Sequence, residues 1–188
     1  MKKAILVIIM ALFLSPAAEA CVGKVLNIGV LSSPEGRVLS SLLSTLITER
    51  TGTTVTVHFY KSEQELSEAM KKEKVDISFE NTARALRVLN RPAESDARKA
   101  YDAVKAAYEK ERGMIWLKPF GFTNGGSTLT AAMLRSEVLT NFPALPRVIN
   151  KLCSSVNDEA YSRLVKSVES GEQPQKVARD FLKAKRLI

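Results

Sequence analysis

Three apolar, β-rich runs in the first half of the chain each give way to polar side chains. LNIGVL leads to Ser32, Ser33 and Glu35, VTVHF to Tyr60 and Lys61, and VDISF to Glu80, Asn81 and Thr82. Hydroxyls, an amide and carboxylates at such points suit binding better than catalysis. The only histidine is His58, too little for a metal cluster. No GxSxG or GxxxxGKS/T motif is present, nor a glycine-rich strand–helix turn for a dinucleotide. Glu35 and Glu80 would act as an acid–base pair only at a fixed separation, and nothing in the sequence fixes one. Nothing places His58 beside either thiol, Cys21 or Cys153, for nucleophilic chemistry. The expectation is a non-enzymatic protein with no catalytic residue, metal or cofactor. Ser33, and either Asn81 or Thr82, also have the chemistry of helix N-caps, a role compatible with ligand contact. Glu80 follows VDISF directly, so its carboxylate must be solvated, paired or used.

The elements that position these residues are legible. KVLNIGVLS reads as a buried strand. Ser33 and Pro34 then open a helix whose stripe Val38, Leu39, Leu42, Leu43, Leu46 and Ile47 has helical spacing, closed by Gly52. TTVTVHFY alternates, with Val55, Val57 and Phe59 on one face and Thr54, Thr56, His58 and Tyr60 on the other. SEQELSEAMKK begins with a Ser62-to-Glu65 capping box, VDISF is a third strand, and ENTARALRVLN starts the next helix. This β-α-β-α-β-α order predicts an α/β fold with a parallel sheet covered by helices. Ligands of open parallel sheets bind beyond the carboxyl ends of the strands, and that geometry adds Tyr60 to the candidates. Further on come a long helix from about Ser95 to Arg112, the strand MIWL, and TLTAAML as its return partner. Four helical segments follow, punctuated by Pro143, Pro146, Gly171 and Pro174.

MKK, the apolar run AILVIIMALFL and the small-residue end SPAAEA read as a secretory signal peptide over residues 1–20, cleaved after Ala20. Residues 21–188 then form a single exported domain, periplasmic or otherwise outside the cytoplasm. The formal charge is +8, and removal of Lys2, Lys3 and Glu19 leaves +7. That charge is spread through mixed-sign segments such as RKAYDAVKAAYEKER, without a basic block or an aromatic ladder, so a nucleic-acid partner is not expected. Cys21 and Cys153 form an even pair in an oxidising compartment, which suggests a disulfide. The alternative makes Cys21, at the cleavage point, a lipid attachment site, although AEA before it is a poor signal for that.

The collinear order of LNIGVLSSPEGRVLSSLLSTLITERTGTTV, a serine-led helix, KKEKVDISFENT and YDAVKAAYEKERGMIWLKPFGFTN resembles the first lobe of periplasmic solute-binding proteins for glycine betaine and related quaternary amines. SEVLTNFPALPRVINKL and VARDFLKAKRLI resemble their closing helices. The resemblance implies a three-layer lobe of a type II periplasmic binding protein and delivery of a small quaternary amine to an ABC importer. It matches Ser33, Glu35, Glu80, Asn81, Thr82, Phe122, Thr123 and Asn124 to pocket-forming positions. The family's aromatic-acidic EYTG-like stretch stands here as Glu80-Asn81-Thr82, without the tyrosine. Trp116 lies mid-strand and reads as core.

In the family, the strand ending in a GFxN-like sequence leaves the first lobe and the second lobe follows. Here Asn124-Gly125 is a hairpin signal, since primed turns need positive φ at both central residues. The resemblance thus implies that segments 21–124 and 128–188 are joined by a short hairpin in place of the second lobe. Three readings follow. The chain is a one-lobe solute-binding protein, alone or completed in trans by a separate lobe or an ABC permease. It is an interaction module that has lost small-molecule binding. Or it is a homodimer whose lobes face each other, with an exposed apolar patch around Phe122 favouring the last two.

Overall fold

The computed structural model describes residues 24–123, 126 and 128–188. Strand β1 (Leu26–Leu31) leads into helix α1 (Pro34–Thr51), then β2 (Val55–Tyr60), α2 (Glu63–Lys71), β3 (Ile77–Asn81), α3 (Thr82–Val88), α4 (Ala97–Arg112), β4 (Met114–Pro119) and β5 (Thr130–Arg135). Helices α5 (Ser136–Asn141), α6 (Leu145–Cys153), α7 (Asp158–Glu169) and α8 (Pro174–Ala184) complete the order.

Local chemistry sets the helix ends. Ser33 Oγ accepts the Gly36 N–H at 3.1 Å, and Gly52 adopts the left-handed conformation (φ 69°), returning its N–H to the Thr48 carbonyl. Ser62 Oγ accepts from Glu65 N, while the Glu65 carboxylate reaches back to Lys61 N rather than to the cap residue itself. Gly36 is needed for close approach. A Cβ there would lie 2.2 Å from the Leu31 carbonyl oxygen, a backbone atom held by β1. Gly36→Ala is expected to cost about 1–3 kcal/mol through overpacking, read as a lower urea midpoint with an unchanged m-value.

One five-stranded sheet has the order β2-β1-β3-β5-β4. β1 pairs in parallel with β2 and β3, and β5 runs antiparallel between β3 and β4. The sheet is therefore mixed, as a return strand after β4 requires. Alternation then sorts the side chains into three layers. Ile28, Val30, Ile77, Leu117, Ala132 and Leu134 face the layer of α1, α6, α7 and α8. Met114, Trp116, Ala131 and Met133 face α3 and α4. A small cluster of Leu66, Ala69 and Val75 seats α2. Trp116 lies in the core, with Tyr101 and Tyr108 edge-on at 6.1 and 5.4 Å.

Phe59 lies on the face that alternation predicts but is not covered there. It shares the alternation of Val55 and Val57 yet is 49% exposed, with the Arg37 guanidinium 5.8 Å from its ring centroid. β2 is an edge strand, and Phe59 stands outside the packed core that receives Val55 and Val57. Helix α4 begins at Ala97 rather than Ser95, because the Asp96 carboxylate caps it through Arg98 N and Lys99 N.

β4 and β5 are adjacent, with Met114 opposite Arg135 and a register shift between Trp116 and Pro119. Phe120 N donates to the Thr130 carbonyl at 2.8 Å, and Gly126 N to the Thr123 carbonyl at 3.1 Å. Asn124, Gly125 and Ser127 lie outside the described residues.

Candidate functional site

β1 pairs with β2 along its whole length, but with β3 only at Ile28 and Ile77. Beyond that point the two strands part, and a cavity of about 640 Å³ opens between their carboxyl ends. This is where an open α/β sheet offers room to a ligand. Val30, Leu31, Ser78, Phe79, Glu80 and Asn81 line it from the strands. Ser33 and Glu35 line it from the start of α1, Arg84 from α3, and Asp158, Tyr161 and Lys166 from α7.

Four of the nine candidates from the sequence meet there: Ser33, Glu35, Glu80 and Asn81. Ser33 and Asn81 are also caps, Asn81 Oδ1 accepting the Arg84 N–H at 2.8 Å. Thr82 is buried outside the cavity wall. Its N–H donates to the Leu129 carbonyl and its hydroxyl accepts from Leu129 N, so it ties the β4–β5 connection to α3. Tyr60 packs against the Leu66 cluster under α2, where burial raises its phenol pKa. Thr123 donates its N–H to Asp158 Oδ1 at 2.8 Å. Phe122 is fully buried, so no apolar patch is exposed at that residue. Asn124 lies outside the described residues.

Phe122 belongs to a chain of four rings. Phe79 meets Phe120 at 6.0 Å, Phe120 meets Phe122 at 5.3 Å, and Phe122 stacks on Tyr161 at 3.8 Å with planes 2° apart. The two ends of this chain, Phe79 and Tyr161, are cavity wall. Burial, with the Glu35 charge second, pushes the Tyr161 phenol well above its ordinary value, so it stays neutral. The ring faces are chemically able to receive an organic cation.

Glu80 is paired. Its Oε1 accepts from Arg84 Nε at 2.5 Å and from Asn81 N at 2.8 Å, while Arg84 Nη1 reaches Glu63 at 2.8 Å. Burial pushes the Glu80 carboxyl above the usual carboxylate range, against the downward pull of Arg84. The guanidinium is also desolvated, but its two carboxylate partners outweigh that and hold it protonated. Glu80 and Arg84 also line a second cavity of about 500 Å³, floored by Met114 and Met133.

Tyr161, Asp158 and Arg84 were not picked out from the sequence. Tyr161 and Asp158 sit in DEAYSRL, read only as helix, and the signal was Asn157, whose side chain caps α7 at Ala160 N. Ser78 left a clearer trace, as a hydroxyl inside the apolar run VDISF.

Cys21 lies outside the described residues, so the expected pair with Cys153 has only its second member described. Cys153 is buried at the end of α6 with no disulfide partner among the described residues, its carbonyl accepting from Gly121 N, and burial pushes the pKa of its thiol up to about 12. Among the described residues no group of three His, Cys, Asp or Glu side chains is arranged to hold a metal ion.

A family model for the substrate-binding domain of the ABC-type glycine betaine transport system matches residues 24–127. No curated protein matches the sequence. Among solved structures, apo YehZ from Escherichia coli is similar with a TM-score of 0.78 at 13% identity, covering 88% of this chain and 100% of that one. A glycine betaine/carnitine/choline ABC transporter structure also gives 0.78, at 15% identity over 88% and 99%. Lactococcal OpuAC, closed around glycine betaine, gives 0.56 at 7% identity over 87% and 96%. At these identities the likeness is one of fold.

Proposed function

The chain belongs to the family of substrate-binding domains of ABC-type glycine betaine transport systems, and on that premise we propose that it binds a small quaternary amine as a single lobe. The observation that carries this reading is the course of the chain after β4. Only residues 120–129 separate β4 from its antiparallel neighbour β5, at the point where the family resemblance implies departure to a second lobe. The cavity between β1 and β3 is then half of a binding cleft, with Phe79, Tyr161, Ser33 and Asn81 on its wall and its mouth open to a partner.

In this reading residues 1–20 direct export, and the folded domain hands its solute to an ABC permease after completion in trans by that permease or a separate lobe. Among the described residues no helix is long and apolar enough to cross a membrane. No catalysis is assigned to it.

The test is calorimetric titration of the purified protein with glycine betaine, choline, carnitine and proline betaine, with light scattering alongside. Heat at micromolar to millimolar ligand on a monomer is the expected result. Silence from a monomer would leave a protein-interaction module. Silence from a dimer would point to two lobes facing each other across the former cleft.

A further inference from the structure

The sequence holds five methionines, and the three beyond residues 1–20 are Met70, Met114 and Met133. They come from α2, β4 and β5, and all three line the second cavity, the one of about 500 Å³ that shares the Glu80–Arg84 pair with the first. Trp116 stands opposite Met133, and Met114 opposite Arg135, so the two strand methionines are diagonal neighbours on one face of the sheet. Such neighbours sit about 7–8 Å apart, within reach of one another for long side chains. Met70 packs against the same cluster from the last turn of α2. Methionine ordinarily fills gaps in a core. This gap stays open, and none of the three is sealed from it: Met114 and Met133 keep 8% and 5% of their surface exposed, and Met70 is half-buried.

Charge does not choose a ligand for this space. Its wall carries five carboxylates, Glu63, Glu73, Glu80, Glu111 and Glu137, and four cations, Lys71, Arg84, Arg112 and Arg135. Most are engaged with one another or with neighbours: Glu80 and Glu63 with Arg84, Glu73 with Arg135, Glu111 with Arg91. Arg135, opposite Met114, is also held by Asp76, and the Arg112 guanidinium lies over the Tyr108 ring. The sulfur atoms are what set the wall apart. Among the described residues no cysteine or histidine lines the cavity, so its soft donors are three neutral thioethers. Thioethers favour soft ions such as Cu(I) over Zn(II), Mg(II) or Ca(II), which take imidazole, carboxylate or carbonyl donors. An unbranched methionine has three rotatable bonds, so the sulfurs can close on an ion without a shift of the backbone.

We propose that Met70, Met114 and Met133 form a thioether site for a soft monovalent metal ion, Cu(I) or its analogue Ag(I). The site is independent of the amine reading, since none of the three side chains lines the cavity between β1 and β3.

The test is an NMR titration of the purified protein, carbon-13 labelled at its methionine methyl groups, with silver nitrate in chloride-free buffer. Cys21→Ser/Cys153→Ala is titrated beside the parent, so that silver taken by a thiol is not counted. The Met70, Met114 and Met133 signals are expected to shift together in both proteins, complete at one equivalent in the variant, with zinc shifting none. Met133→Leu keeps the volume and removes one sulfur, so the metal-free variant should melt close to the parent. Its Cu(I) affinity, read by competition with bicinchoninate under nitrogen, should fall at least about tenfold. Fewer than three signals moving under excess silver, zinc matching silver, or an unchanged Cu(I) affinity in Met133→Leu overturns the proposal. Glycine betaine and choline heats should be the same in Met133→Leu as in the parent, so that failure leaves the family function standing.

Discussion

Arg84→Ala is expected to lower the stability of the fold by about 3–5 kcal/mol, the usual cost of leaving one member of a buried ion pair alone. The guanidinium side chain is 12% exposed and its partner Glu80 only 6%, so water does little to replace the lost contact. Glu63, the other carboxylate on Arg84, is largely exposed and recovers hydration readily. Nearly all of the penalty is therefore the stranded Glu80. Urea unfolding of Arg84→Ala beside the double variant Glu80→Gln/Arg84→Met separates the terms. The double variant removes the charge along with its partner and should regain most of the loss.

The same pair gives a pH dependence with a definite sign. Because its folded pKa is raised, the native state holds the Glu80 proton in a pH interval where the unfolded chain has released it. Stability from this group is thus present in acid and lost as pH rises through the folded value. Without Arg84 the carboxyl has no counter-charge beside it, so the deficit of Arg84→Ala should be smallest in mild acid and grow toward neutrality. A deficit below about 1 kcal/mol at neutral pH, typical of an exposed pair, would contradict the buried-pair account.

Phe122→Ala is expected to cost about 3–5 kcal/mol as a large-to-small change in the core. Phe122 is fully buried between Phe120 and Tyr161, and its stacked face holds Tyr161 against the cavity. The variant should therefore also weaken quaternary amine binding severalfold, though Phe122 does not line the cavity. Phe122→Leu keeps most of the volume and should lose markedly less stability. Phe59→Ala is the control: half-exposed at the sheet edge, it should change stability by about 0.5 kcal/mol or less. Equal losses for Phe59→Ala and Phe122→Ala would contradict the assignment of the ring chain to the core.

What the sequence revealed followed the range of the interactions that decide each feature. Ser33, Ser62 and Gly52 act through backbone groups a few residues away, so their caps were readable directly. The β-α-β repeats and the pairing of β4 with the return strand TLTAAML were readable, whereas the insertion of β5 beside β3, which makes the sheet mixed, was not, because it depends on contacts far apart in the chain. Alternation gave Phe59 its face but not its exposure, because it does not say where the cover over that face ends. Phe122, matched to a pocket position by family order, is core because Tyr161 arrives from a distant helix to lie on it. Tyr161 and Asp158 carry no motif of their own, and only the packing of α7 near the end of β1 brings them to Ser33 and Glu80. Ser78 is the intermediate case, a polar residue where the run asks for an apolar one.

The sheet order β2-β1-β3-β5-β4 also governs how assembly proceeds in time. One edge of β3 is covered by β5, a strand that follows β4 along the chain but lies inside it in space. A nascent chain complete through residue 119 therefore has every strand except the one that joins the two halves. Its unpaired backbone groups remain open to pairing with other chains until β5, Thr130–Arg135, is made. Such long-range closure slows the search for the native arrangement. On the export reading proposed above, that delay would keep the chain threadable.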